Sequence, residues 1–173
     1  MVLLNIKTRL RSPSTFFLGL GLIGLLTLLG AYLVEALYRA PPCVLCLYQR
    51  APYILVIFLC ITGWFVNRTK RKNRLSIILA GLCALVIFSG AVLALYHVGV
   101  ENSWWRGTSE CTAKGAEALT ISELKQAILS APMVSCGDVT WSLFGLSLAM
   151  WNLLWSAFLS LVSVYVVRIW TTK

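Results

Sequence analysis

Charged positions punctuate this chain at long intervals. Charge-free runs cover residues 12–34, 51–67, 75–100 and 139–167, which are 23, 17, 26 and 29 residues long. A helix rises about 1.5 Å per residue and bilayer hydrocarbon is roughly 30 Å thick, so about 20 apolar residues suffice to cross. Within each run the apolar residues are continuous and rich in Leu, Ile, Val and Phe, not alternating with period two. That excludes the short alternating segments of a membrane β-barrel, because only a helix satisfies its own backbone along a uniformly apolar segment. The pattern predicts an all-α integral membrane four-helix bundle forming one membrane domain over residues 1–173, with helices near 14–36, 43–66, 75–97 and 141–167. The first run follows Lys7, Arg9 and Arg11, as a secretory signal would. It exceeds the roughly 7–15 apolar residues of such a signal and no small-residue cleavage site precedes Glu35, so it is expected to remain as a span.

Composition strengthens this picture. The chain is 59% hydrophobic and 12% charged, with a mean hydropathy of +0.83. Soluble domains carry about 25% charged residues, so a water-surrounded globule is excluded. The net charge of +9 has a topological origin. Lys7, Arg9 and Arg11 precede the first run; Arg68, Lys70, Arg71, Lys72 and Arg74 lie between the second and third; Arg168 and Lys173 follow the fourth. These ten of the 15 basic residues share one face of the membrane, which the positive-inside rule makes cytoplasmic. Both termini are therefore expected in the cytoplasm, with a short first external connection near 35–47 and a longer second one over 98–140. No nucleic-acid partner is expected.

In the longer connection, Trp104, Trp105 and Trp141 are expected at the headgroup layer, where amphipathic rings accumulate. Thr120 with Glu123 resembles a capping box, and Leu119, Leu124, Ala127 and Ile128 would form one apolar stripe of a short surface helix ended by Pro132. Gly99, Gly107, Gly115 and Gly137 are expected to give this loop conformational freedom.

The six cysteines divide by depth. Cys60 and Cys83 fall mid-span, where a thiol behaves as a small apolar side chain. Cys43, Cys46, Cys111 and Cys136 lie in the two external connections, and an even number of thiols on an oxidising side signals disulfide chemistry. Cys43 and Cys46 form a Cys-x-x-Cys unit after Pro41 and Pro42. Proline favours the first helical turn, so the unit is expected to open the second helix, where free N–H groups and the helix dipole stabilise a thiolate. A redox pair, a static disulfide and half of a zinc site all remain open. A tight two-residue loop restricts a fold little, and a zinc site would need a second ligand pair at matching spacing, whereas Cys111 and Cys136 are 25 apart.

Arg50 follows Cys46 by four residues, on the same helical face. The 17 uncharged residues between Arg50 and Arg68 span about 25 Å, less than the hydrocarbon thickness, so Arg50 is placed at the outer membrane boundary. It either snorkels to lipid phosphate or faces the oxygen of an apolar cofactor and supports a Cys46 thiolate.

The run Pro42-Cys43-Val44-Leu45-Cys46-Leu47-Tyr48-Gln49-Arg50, four spans and a second external cysteine pair resemble the disulfide bond formation protein B (DsbB) family. The likeness extends to Tyr96-His97-Val98-Gly99-Val100-Glu101 and to Cys136 followed by Phe144-Gly145-Leu146-Ser147. It implies a membrane thiol–quinone oxidoreductase of the bacterial inner membrane, with its redox cysteines facing the periplasm. Such an enzyme reoxidises a periplasmic thioredoxin-like thiol oxidase of the DsbA type and passes the electrons to ubiquinone or menaquinone. The resemblance makes Cys43 and Cys46 the pair beside the quinone, with Cys46 the sulfur that meets its ring and Arg50 a quinone contact. It makes Cys111 the site of a mixed disulfide with the soluble partner and Cys136 its mate. His97 lies near a family histidine close to the quinone. A monomer surrounded by lipid is expected. The competing readings are a membrane scaffold with structural disulfides and a vitamin K epoxide reductase-like enzyme, a family in which the Cys-x-x-Cys unit lies late in the bundle.

Overall fold

The computed structural model describes residues 12–68, 73–108, 111 and 134–172. The surface helix expected around 119–128, Gly115 and the basic residues Lys70, Arg71 and Lys72 lie outside them. Four helical segments are long and apolar enough to cross a membrane: Pro13–Tyr38, Val44–Arg68, Arg74–Glu101 and Leu148–Thr171. The elements are α1 (Pro13–Tyr38), α2 (Val44–Tyr48), α3 (Arg50–Arg68), α4 (Asn73–Glu101), β1 (Ser142–Leu143), β2 (Leu146–Ser147) and α5 (Leu148–Thr171).

Three boundaries differ from those read off the hydrophobic runs. The second span is broken at Gln49 into α2 and α3. Pro52 has no N–H to give the Tyr48 carbonyl, and its ring crowds that carbonyl, so the regular ladder cannot run through. The third span continues past residue 97 to Glu101, which moves the start of the long connection outward. The fourth helix begins at Leu148, seven residues later than the expected start at 141. Residues 142–147 instead form an antiparallel hairpin with Ser142 opposite Ser147, turned by Phe144 at φ 53° and Gly145 at φ 77°. A left-handed pair of this kind stops a helix and suits a tight two-residue turn. Ser147 then caps α5, its Oγ accepting from Met150 N at 3.2 Å.

The bundle closes along seams of small residues. On α4 the buried positions Ala80, Ala84, Ile87, Ala91, Ala94 and Val98 recur every three or four residues, the spacing of a face packed against a neighbouring helix. Ser156, Ser160 and Ser163 are buried on α5, the helix packed on α4, and Ser160 Oγ donates to the Ala84 carbonyl at 3.4 Å. Without a hydrophobic force between helices in lipid, such small residues permit the close backbone approach that holds them. Cys60 and Cys83 are buried in the central cluster with Phe17, Val56 and Val166, as mid-span packing residues should be. By contrast Leu18, Leu22, Leu25, Leu29 and Leu33 of α1 are exposed, facing what would be lipid.

Helix α1 packs chiefly on α3, and α5 on α4. Between α1 and α5 contact is sparser: Phe16 and Phe17 meet Trp170 at one end, and Trp155 Nε1 donates to Thr27 Oγ1 at 3.1 Å midway. Above that bond the two helices leave a cavity.

Candidate active site

The site is assembled at the end of the bundle where α2 begins. Cys43 is the N-cap of α2, and its sulfur accepts from Cys46 N at 3.1 Å. One helical turn places the Cys46 sulfur 2.6 Å from that of Cys43. From α4, His97 Nε2 stands 3.5 Å from the Cys43 sulfur, and its other ring nitrogen, Nδ1, is hydrogen-bonded to Gln49 Nε2 at 2.8 Å. His97 is 3% exposed, so it is a buried group facing the redox pair and not an interfacial side chain.

These contacts separate the two thiols. The Cys46 thiol, donating to the Cys43 sulfur, is the largest influence on Cys43; burial opposes it and His97 adds to it, and together they bring Cys43 from the ordinary 9.0 down to about 5. The sulfur kept anionic near neutral pH is therefore Cys43, whereas Cys46 is the sulfur at the wall of the cavity between α1 and α5. Cys43, Cys46 and His97 also bring three metal-binding atoms within 4.8 Å of one another. Two thiolates on one tetrahedral zinc would be about 3.8 Å apart, given bonds of about 2.3 Å. The observed 2.6 Å between the two sulfurs is shorter than that spacing.

The cavity measures about 310 Å³ and is mostly apolar, bounded by Leu28, Val34, Pro42, Trp151 and Trp155. Its polar wall is Cys46, Gln49, Arg50, Tyr53, Glu35 and Asn152. Arg50 does not snorkel: it is buried, forms an ion pair with Glu35 and lies 4.5 Å over the Tyr32 ring. A guanidinium carries five N–H donors, so the ion pair leaves others for a ligand oxygen. An apolar ring with a carbonyl edge fits this wall, its faces against hydrocarbon side chains and its oxygen toward Arg50 or Gln49.

The second cysteine pair lies against the first. Cys111 and Cys136 form a disulfide with a Cα–Cα distance of 5.0 Å, and Cys136 N donates to the Cys111 carbonyl at 3.3 Å. Both are buried in one cluster with Cys43, Val44, Leu45 and Val100. Cys111 also borders an open cleft with Trp104, Trp105, Arg106 and Gly107. Two glycines expected to loosen this loop serve the opposite end. Gly99 lies inside α4, where an added Cβ would run into the Trp105 ring, and one at Gly107 would fall 2.8 Å from Cys111 Cβ. Both are places where neighbours approach too closely for a side chain. Trp105 is fastened there, stacked on Tyr96 at 6.0 Å and donating to the Tyr96 carbonyl at 2.8 Å.

The structure thus brings all six candidate residues, Cys43, Cys46, Arg50, His97, Cys111 and Cys136, to one end of the bundle. Sequence reasoning did not single out Glu35, Tyr32, Gln49, Tyr53, Asn152 or Glu101 as parts of the site. Asn152 had a readable signal: an amide within an apolar span is costly unless it has a partner. Glu101 faces His97 at 3.8 Å and accepts from Ser147 Oγ at 2.5 Å, which ties α4 to the start of α5.

A family model for the disulfide bond formation protein DsbB matches residues 13–166. The Disulfide bond formation protein B of Nitrosospira multiformis is 31% identical over 132 residues, covering 74% of this chain and 75% of the relative. Disulfide bond formation protein B 2 of Pseudomonas savastanoi pv. phaseolicola is 30% identical over 140 residues, 78% of this chain and 77% of the relative. An uncharacterized protein of Rickettsia prowazekii is 29% identical over 134 residues, 76% and 74% of the two chains. No solved structure matches.

Proposed function

Because this chain belongs to the DsbB family, whose members are oxidoreductases of disulfide bond formation, we propose that it is a thiol–quinone oxidoreductase of the bacterial inner membrane. It reoxidises a periplasmic thioredoxin-like disulfide donor of the DsbA type and delivers the electrons to ubiquinone or menaquinone. The observation that carries this reading is the stacking of functions at one end of the bundle. A disulfide beside an open cleft packs on a Cys-x-x-Cys pair, and that pair borders an apolar cavity holding an arginine.

The reduced partner's thiolate attacks Cys111, forms a mixed disulfide and releases Cys136 as a thiolate. A second partner thiol then displaces Cys111, so the partner leaves oxidised and Cys111 and Cys136 remain as a dithiol. Their thiolates exchange with the Cys43–Cys46 disulfide, which moves two electrons inward and restores the Cys111–Cys136 bond. Closing the Cys43–Cys46 bond again, from the Cys43 thiolate and the Cys46 thiol, releases two electrons and one proton. A quinone, when bound, would accept the two electrons together with this proton and a second one drawn from water. Cys46 is the sulfur on the cavity side, Cys43 is the anion that closes the bond onto it, and Arg50 with Gln49 orients a ligand oxygen. The surrounding hydrocarbon side chains exclude water. Holding Cys43 as a thiolate stabilises the dithiol and so makes this pair the more oxidising of the two, the direction in which electrons must move.

The test is quinone reduction by the purified protein, driven by a reduced thioredoxin-like oxidase. Turnover is expected with the intact chain and abolished by Cys46→Ser. Arg50→Ala should raise the quinone concentration giving half-maximal rate at least tenfold, with mixed-disulfide formation at Cys111 unchanged. Thiol oxidation without quinone consumption would overturn the reading.

A further inference from the structure

The steps above leave Tyr53, Ser156 and Asn152 without a task, although all three surround the site. They are joined end to end with Gln49 and His97. The Tyr53 hydroxyl donates to Asn152 Oδ1 at 2.7 Å, and Ser156 Oγ reaches the same oxygen at 3.3 Å. Asn152 Nδ2 donates to Gln49 Oε1 at 2.7 Å, Gln49 Nε2 reaches His97 Nδ1 at 2.8 Å, and His97 Nε2 faces the Cys43 sulfur. The chain of bonds runs from α3 to α5, back to the break between α2 and α3, and on to α4.

A primary amide transmits direction, because one end only accepts and the other only donates. With two hydroxyls on its oxygen, Asn152 presents its amino group to Gln49, and Gln49 in turn presents its amino group to the imidazole. A ring nitrogen that accepts a hydrogen bond carries no proton, so the proton of the neutral ring resides on Nε2. We propose that the Tyr53–Asn152–Gln49 chain is a positioning device that fixes His97 in its Nε2–H tautomer and thereby aims an N–H at the Cys43 sulfur.

The opposite tautomer would turn a lone pair on that sulfur and disfavour a thiolate. The ionisable groups around His97 are Cys43, Cys46, Glu101 and Asp138, which share a small cavity with it. The nearest carboxylate oxygen, that of Glu101, lies on the Nε2 side at 3.8 Å, so it too favours a proton there. Gln49 forms the bond at Nδ1. The proposal rests on the oxidase reading for the role of Cys43, but the tautomer itself is measurable without quinone or partner.

His97 is the chain's one histidine, so nitrogen-15 histidine labelling gives a spectrum of this ring alone. The full chain, reduced, held in lipid nanodiscs and titrated to a pH at which the ring has lost its positive charge, is expected to show a protonated Nε2 and an unprotonated Nδ1. Asn152→Asp keeps the shape and still accepts from Tyr53, but offers no N–H to Gln49. Gln49 should then turn its amino group to the new carboxylate and its oxygen to the ring, moving the proton to Nδ1 and raising the pH midpoint of Cys43 thiolate absorbance. Gln49→Glu, a second route if that variant does not fold, replaces the donor by an acceptor and should likewise protonate Nδ1. A proton on Nδ1 in the unsubstituted protein, or an unprotonated Nδ1 persisting in the folded variants, would overturn the proposal. The predicted tautomer in a protein that reduces no quinone would sink the oxidase reading instead.

Discussion

Cys43 and Cys46 belong to a single helical turn yet have opposite surroundings. Cys43 receives an N–H from the cap, a thiol from Cys46 and the imidazole; Cys46 borders apolar space. The reduced protein should therefore develop thiolate absorbance with a midpoint near pH 5, well below the ordinary 9.0. Because the folded value is the lower one, this group stabilises the reduced fold fully above pH 9.0, and that contribution is lost as pH falls through about 5. Cys46→Ala removes the largest cause and should move the midpoint upward, while His97 keeps part of the shift. An unchanged midpoint would assign the low value to another thiol. The residue types of the site were readable, since Cys-x-x-Cys after two prolines already announces a thiolate at a helix start. The partition between the two sulfurs was not, because it depends on a histidine 54 positions away.

The four spans follow from run length and hydropathy, and the structure keeps all of them. What the runs do not reveal is how each helix is interrupted and which face it turns inward. The break at Gln49 is the more consequential, since it places Gln49 beside His97 and Arg50 beside the cavity. Its cause, Pro52, was in view, but a proline within an apolar run also allows a kinked continuous helix. Packing between α1 and α3 gives a direct test. A Cβ at Gly63 would fall 2.6 Å from the Phe17 ring, whereas one at Gly19 meets nothing within 4 Å. Gly63→Ala should cost about 1–3 kcal/mol through overpacking and lower the thermal midpoint in detergent, while Gly19→Ala should leave it unchanged or slightly raised. Equal midpoints would mean that the two spans are not in this register.

At the scale of the whole molecule, the basic residues set the expected orientation of the bundle, and Cys43, Cys46, Cys111 and Cys136 gather at one end of it. Phe144 is 88% exposed at the hairpin tip, beside the active-site end, and Thr172 lies at the far end of α5. A membrane-impermeant maleimide added to intact cells should label Phe144→Cys above the background of the unsubstituted chain, and should label Thr172→Cys only after the membrane is opened. The reverse result would invert the topology. The sequence alone determined the number of spans, their expected orientation and the sorting of cysteines into mid-span and external sets. Those properties depend on hydropathy and charge summed along contiguous residues, which the bilayer reads one segment at a time. Only the tertiary structure decided that Cys111 and Cys136 share one buried cluster with Cys43 and that Glu35 holds Arg50. It alone also showed that Asn152 reaches Gln49 across 103 positions. Such contacts depend on the rotation of each helix about its axis and on the small residues that let backbones approach, and no local pattern encodes either.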